Sequence, residues 1–340
     1  MNSRSQLVFG CGLLGLLFAF LTNLSLGSVS IPFSDSLSIL TGGESKSTWE
    51  YIVLNYRLPK SFTAILVGSG LSVSGLLMQT LFRNPLAGPY VLGISSGASL
   101  GVALLLMGGG VLGGFFLDFA ALNWSLIVAA SAGSFLVLLV VMATAAKIRD
   151  TMAILIIGLM FASLTSALVS VLSYFTSSEK LQQFVFWSYG SVGNLGWNEL
   201  VVLVLFWLVG LGISFFCAKN LNALLLGENY AKSLGTPVKA NRYWVILATS
   251  LLAGSVTAFA GPIAFIGLAI PHLVRLIFPS SNHLKLIPAV MIFGSILMLI
   301  CDTVAQLPGS EITLPLNAIT SLVGAPVVIW LLVRKKKLVF

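Results

Sequence analysis

Ser61–Phe82 reads SFTAILVGSGLSVSGLLMQTLF, a run without a single Lys, Arg, Asp or Glu. About 20 mainly apolar residues let a helix cross the hydrocarbon core, so this stretch is long enough to span a membrane. Its apolar residues are continuous rather than alternating with period two, the pattern of a helix and not of a barrel strand. A charge at the bilayer centre costs roughly 2.5–3.5 kcal/mol on insertion scales, so charge-free gaps mark where lipid lies. Comparable gaps recur at Asn84–Leu117, Phe119–Ala146, Thr151–Ser178, Leu200–Ala218, Tyr243–Val274 and Ile312–Val333.

Working outward from these runs, the 340-residue chain is 57% hydrophobic and 8% charged. Soluble domains carry about 25% charged residues, so a water-soluble fold of this size could not cover its surface. The first run, Leu7–Leu26, follows Arg4 and is too long for a signal-peptide core. It also lacks a small-x-small cleavage site, and reads as an uncleaved first helix. Ten spans are expected, near residues 7–27, 61–82, 90–107, 120–146, 151–175, 199–218, 242–260, 262–277, 285–305 and 312–333. Gly and Pro interrupt the third and the eighth. The chain is thus expected to be one all-α integral-membrane domain over residues 1–340. Cys11, Cys217 and Cys301 are far apart and show no metal spacing.

With the N-terminus inside, the outer connections hold only Lys46, Arg57, Lys60 and Lys180 of the 18 basic residues. The positive-inside rule then places both termini in the cytoplasm. The net charge of +8 reflects this topology and gives no reason to invoke nucleic acid. Three loops are long enough to carry function: Gly27–Tyr56 and Phe175–Asn198 outside, Ala218–Asn241 inside. The aromatic Phe175–Asn198 loop suits either an interfacial or partly re-entrant helix or an aromatic belt.

Several clusters stand out in order. Arg57-Leu58-Pro59-Lys60 precedes the quoted run, and Pro59 is suited to a helix's first turn. Gly68, Ser72 and Gly75 offer close backbone approach to neighbouring helices. Gln79, Arg83-Asn84-Pro85-Leu86-Ala87-Gly88-Pro89 and Leu92-Gly93 follow. Farther on come Gly261-Pro262, Gly267, Pro271-His272 and Arg275, then Pro288, Gly294 and Asp302, then Glu311 with Gly324-Ala325-Pro326. From about residue 50 to residue 333 these clusters resemble the FecCD-type permease family of iron–siderophore, haem and cobalamin ABC importers.

That resemblance implies a type II importer permease fold of about ten helices in the inner membrane. The subunit would pair with a second permease, bind two cytoplasmic ATPase subunits, and receive cargo from an extracytoplasmic substrate-binding protein. Ferric siderophore is the expected cargo, with haem or cobalamin as alternatives. The family places Arg57 and Lys60 at the docking site of the binding protein; a snorkelling role at a helix end explains them equally simply. Where this chain has Gln306 the family often has Arg. Asn84 and Leu86 match an inner gate, although Asn84 could simply cap a helix. Ser163, Thr165, Ser166 and Ser170 match a pathway-lining helix or, without the family, tight helix packing. Leu226, Gly227, Glu228, Ala231, Leu234 and Gly235 match the loop that couples to the ATPase.

The chain has no G-x-x-x-x-G-K-[ST] phosphate loop, so ATP is expected to be handled by another subunit and no enzymatic activity by this one. The G-x-G-x-x-G match at Gly108–Gly113 lacks a strand–helix context. No cofactor and no metal site are expected; His272 and His283 read as interfacial hydrogen-bonding groups. Asp302 is the one acid placed inside a span, which leaves an ion-coupled secondary transporter little to work with. An integral-membrane enzyme would need a catalytic constellation that two isolated histidines do not make.

Overall fold

The computed structural model describes residues 3–43, 45–108, 124–148, 151–278, 280–310 and 312–333. Among the described residues there are helices and connectors and no strand. The Gly108–Gly113 match, Arg149, Glu311 and the terminal basic run at 334–337 lie wholly or partly outside them.

In chain order the helices are α1 (Ser3–Ser25), α2 (Phe33–Leu40), α3 (Ser47–Ile52), α4 (Leu58–Phe82), α5 (Ile94–Met107), α6 (Ser125–Lys147), α7 (Thr151–Tyr174) and α8 (Ser178–Ser188). There follow α9 (Trp197–Leu225), α10 (Glu228–Ser233), α11 (Val238–Thr249), α12 (Ser255–Ala260), α13 (Ile266–Ile277), α14 (His283–Ala305) and α15 (Leu316–Val333). Among the described residues, seven continuous helical stretches are long and apolar enough to cross a membrane: Gln6–Ser25, Ser47–Phe82, Ser125–Thr144, Met152–Tyr174, Trp197–Leu225, Val238–Ala260 and His283–Ala305. Shorter apolar helices occupy Ile94–Met107, Ile266–Ile277 and Leu316–Trp330. Each overlaps one expected span. The protein is an all-α, multi-pass membrane protein.

Helix α4 is the axis of the bundle, buried along nearly its whole length and packed against α9, α11, α13 and α14. Lipid gives helices no hydrophobic reason to associate, so close van der Waals packing has to hold them together. The small residues of the quoted run provide it. A Cβ at Gly68 would run into the carbonyl of Gly294 on α14, and one at Gly75 into the carbonyl of Gly267 on α13. Ser72 satisfies its own hydroxyl by donating to Gly68 O at 2.7 Å, so a polar residue sits in this contact without an unpaired group.

Three departures from the expected spans have physical causes. The helix carrying Pro59 starts before it: α3 runs through a π-helical turn, Val53–Arg57, into α4. Proline lacks the N–H that an interior turn needs, and the π-turn just upstream is of the single-turn kind in which π-helix occurs within α-helices. The third and eighth spans are short helices, α5 and α13, each entered through an irregular Gly/Pro segment. Gly93 (φ 74°) and Gly261 (φ 74°) take left-handed backbone there, and the Tyr90 hydroxyl accepts from Ile263 N at 3.4 Å, joining the two segments. Finally, α9 continues past the expected end at residue 218 to Leu225, so Leu221 and Leu224 belong to the buried face of a span.

Candidate functional site

The residues singled out by sequence gather at the two ends of the bundle, one of which collects Arg83, Lys147, Lys232, Lys239, Arg242 and Arg275. At this basic end α4 stops where Arg83 adopts φ 46° and φ stays left-handed for one residue. The Asn84 side-chain oxygen accepts from Leu86 N at 2.9 Å, an Asx-turn that holds the following proline-locked corner. Helix α13 fixes this corner from the side. His272 Nε2 donates to Pro85 O at 2.7 Å, Gln79 donates to Leu268 O at 3.1 Å, and Arg275 donates to Gln79 Oε1 at 3.2 Å. Leu86 is left exposed while Ala87 is buried, so the rigid corner presents one apolar side chain outward.

Beside it lies the Leu226–Gly235 loop. Gly227, at φ 112°, turns the chain sharply from α9 into the short helix α10, and Gly235, at φ 79°, ends it. Ala231 is fully buried, whereas Leu226, Tyr230 and Leu234 are 63%, 52% and 59% exposed. Tyr230 on α10 and Leu234 at its C-cap stand four residues apart on one face, giving, with the exposed Leu226 just before the Gly227 turn, an uncovered apolar ridge on the loop. Glu228 is held from behind: its Oε1 lies 3.2 Å from Arg242 Nη2 and its Oε2 3.9 Å from Lys232 Nζ. Arg83 Nη2 donates to Leu225 O at 3.3 Å, tying the Asn84 corner to the start of the loop.

A second polar knot binds α4, α9 and α14. His283 Nδ1 lies 2.7 Å from Asn222 Oδ1 and its Nε2 2.9 Å from Thr80 Oγ1. Asn282 caps α14 by accepting from Leu284 N at 3.0 Å. Both histidines are therefore hydrogen-bonded within the chain, and among the described residues no group of three His, Cys, Asp or Glu could hold a metal ion.

At the opposite end Arg57 is 7% exposed. Its guanidinium donates to Leu24 O at 2.7 Å, to Ser25 O at 2.9 Å and to Val29 O. It fastens the α1–α2 linker to the top of α4. Lys60 Nζ lies 3.2 Å from Asp302 Oδ1, and Asp302 Oδ2 accepts from both Asn23 and Gln306 at 2.8 Å. The ring closes where Ser61 donates to Asn23 Oδ1 at 2.6 Å. Lys60, Asp302 and Gln306 line a cavity of about 470 Å³ together with Tyr189, Gly190 and Leu314. In this conformation both cations expected at a docking surface are bonded inside the chain. Nothing in the sequence pattern announces that Asn23, Asp302 and Gln306 meet, since Asn23 is hundreds of positions from the other two.

Helix α7 carries the four hydroxyls. Ser163, Ser166 and Ser170 are exposed and Thr165 is buried. Ser163, Thr165 and Ser170 donate back to their own helix, at Leu159 O (3.1 Å), Phe161 O (2.9 Å) and Ser166 O (3.0 Å). The three serines share one face, so the fourth residue of the set points away from it. This face is uncovered in the single chain; α7 packs on α5 and the Pro89–Leu92 turn from its other side.

Comparison with known proteins gives consistent results. The model of the FecCD transport family matches residues 15–334. The vitamin B12 import system permease protein BtuC of Klebsiella pneumoniae is 36% identical over 332 residues, covering 97% of this chain and 94% of that one. The protein of the same name from Citrobacter koseri is 36% identical over 290 residues, 85% of this chain and 84% of that one. A solved chain described as an inward-facing conformation of a metal-chelate type ABC transporter superposes with a TM-score of 0.83 at 31% identity, covering 97% of this chain and 99% of that one.

Proposed function

This chain belongs to the FecCD transport family and is the membrane permease of an ABC importer; on that premise we propose that its cargo is a cobalt corrinoid of the cobalamin type. The observation that carries the choice is the name shared by relatives 36% identical over most of the chain, both vitamin B12 import permeases. It reverses the order expected from sequence, which put ferric siderophore first. The two cargoes are both bulky metal chelates, and a wall of nearly charge-free helices suits either.

In this reading the basic end faces the cytoplasm and both termini lie there, within the inner membrane. The exposed ridge of Leu226, Tyr230 and Leu234 is apolar surface that a soluble environment disfavours, which supports its burial in a groove of an ATPase subunit. Gly227, Glu228, Ala231 and Gly235 shape and hold that ridge. The corner of Asn84 and Leu86, stiffened by His272, supplies the short rigid groups that an inner gate requires. The exposed, hydroxyl-bearing face of Ser163, Ser166 and Ser170 supports a water-filled pathway completed by a second permease subunit. Thr165, turned inward, serves helix packing instead.

A substrate-binding protein would dock at the opposite end. Lys60 retains 20% side-chain exposure at the cavity lip and can exchange Asp302 for an acidic partner, and such charges steer docking more than they add affinity. Arg57 supports the rim without meeting the partner. The deciding experiment reconstitutes the chain with its ATPase and binding protein in liposomes and compares cyanocobalamin, haem and a ferric hydroxamate siderophore. Stimulation of ATP hydrolysis and ATP-dependent uptake by cyanocobalamin alone is the expected result. Stimulation by the siderophore alone restores the first expectation, and uptake that needs an ion gradient but no nucleotide removes the importer mechanism altogether.

A further inference from the structure

Arg242 is buried, with 8% of its side chain exposed, at the start of α11. By sequence it belongs only to the basic side of the membrane. Its two terminal nitrogens reach different parts of the chain. Nη2 lies 3.2 Å from Glu228 Oε1 on α10, and Nη1 donates to Ile148 O at 3.3 Å. Ile148 is the C-cap of α6 and lies three residues before α7 begins. One planar cation therefore joins the loop helix α10 to the C-cap of α6, three residues before the serine-bearing helix begins. A guanidinium is suited to this because its fork holds two acceptors at fixed geometry, whereas an ammonium offers a single point.

The surroundings leave room for the joint to act. A cavity of about 620 Å³ lies on the inner side of α10, lined by Thr80, Arg83, Met152, Glu228, Tyr230 and Arg242 among others. Its lining brings together residues of α10, of the end of α4 and of the start of α7. Arg83 reaches the loop at the Leu225 carbonyl, upstream of the Gly227 turn. A bonded route from α10 itself to the end of α6 runs through Arg242.

We propose that Arg242 is the positioning residue that transmits movement of α10 to α7, so that a push on the loop by the ATPase reorients the face of Ser163, Ser166 and Ser170. This rests on the reading of the chain as an ABC importer permease and adds to it the route of coupling. Neither hydrolysis of ATP nor recognition of cargo requires Arg242, which touches neither in this proposal.

The test uses the full complex in liposomes with cyanocobalamin as probe and the variants Arg242→Gln and Arg242→Lys. With Arg242→Gln, hydrolysis is expected to persist while cyanocobalamin imported per ATP falls about tenfold, a factor within the usual range of coupling free energies. Arg242→Lys, able to keep one partner at a time, should fall in between. A second readout is independent of cargo: spin labels at Ser233→Cys on α10 and Met152→Cys on α7, with the native cysteines replaced. Their separation should stay nearly constant on trapping with ATP and vanadate when Arg242 is present, and change when it is Gln. Import per ATP unchanged in Arg242→Gln, or import and hydrolysis falling in parallel, overturns the proposal. Should that variant not assemble, an unaltered ratio in Arg242→Lys overturns it and a lowered one supports it. If the unaltered complex imports no cyanocobalamin, the cargo reading fails alone and the label separation still decides the role of Arg242.

Discussion

At the scale of single residues, the ion pair of Lys60 and Asp302 shows how a charge is carried next to lipid. Asp302 is 3% exposed and would be prohibitively costly alone, but it faces one ammonium and two amide donors. The two partners are not equivalent. Lys60, with a flexible stem and partial exposure, can swing its head to water if Asp302 is lost; Asp302 has no such escape. Removing one partner of a buried pair costs roughly 3–5 kcal/mol because the other charge stays buried. Lys60→Met is therefore expected to destabilise the protein by about 3 kcal/mol, the lower end because Asn23 and Gln306 remain. Asp302→Asn should cost distinctly less. Thermal unfolding midpoints of the purified variants in detergent check the order, and a larger loss in Asp302→Asn would show that the pair is not held as described. Lys60, Asp302 and Gln306 each draw notice in the sequence, but separately. Asn23 is an ordinary residue there, and the grouping of the four comes from a meeting of α1, α4 and α14 that local spacing does not encode.

At the scale of elements, the small residues of α4 set how near its neighbours come. The carbonyls of Gly267 and Gly294 occupy the space where side chains at Gly75 and Gly68 would be. Overpacking of such a contact costs typically 1–3 kcal/mol, and here the opposing atoms are backbone that cannot rotate away. Gly75→Ala should lower the unfolding midpoint. Gly212→Ala, whose added methyl would meet no atom within 4 Å, should be neutral or slightly stabilising through helix propensity. Equal effects at the two sites would mean that α4 and α13 do not touch as closely as found. This contact is legible in the sequence, because Gly68, Ser72 and Gly75 recur on a helical face and small residues at that spacing mark close approach. The spans are legible for the same reason, since charge-free length is a local property. The π-turn before Pro59, the short helices α5 and α13 and the extension of α9 to Leu225 are not, because apolarity says where lipid lies but not where a backbone stays helical. The break at Gly227 is marked by the glycine, but the run of α9 beyond residue 218 is not, because Lys219, Asn220 and Asn222 interrupt the apolar stretch.

At the scale of the whole molecule, the helix that matters most is the least covered of the seven membrane-length stretches among the described residues. Leu164, Leu168 and Val171 of α7 are exposed as well as Ser163, Ser166 and Ser170, and at 3.6 residues per turn the two sets lie roughly 120° apart. A helix in lipid on all its open sides would have no reason to keep three serines on one of them, although each can satisfy a helix carbonyl and so survive there. A helix between lipid and water would show the division found over residues 163–171. The two cases separate by solvent access. In a version with Cys11, Cys217 and Cys301 replaced, single cysteines at Ser166, Ser170, Leu164 and Leu168 are introduced into the complete importer in liposomes. A membrane-impermeant maleimide should label the two serine positions at least about tenfold faster than the two leucine positions, because the reagent needs thiolate in water and a thiol in apolar surroundings resists ionisation. The serine positions should also change their labelling rate when ATP and vanadate trap the complex, since the pathway must close at one end while it opens at the other. Uniformly slow labelling would place the serine face against lipid or a packed neighbour, and the pathway would then have to be sought along another helix of the bundle.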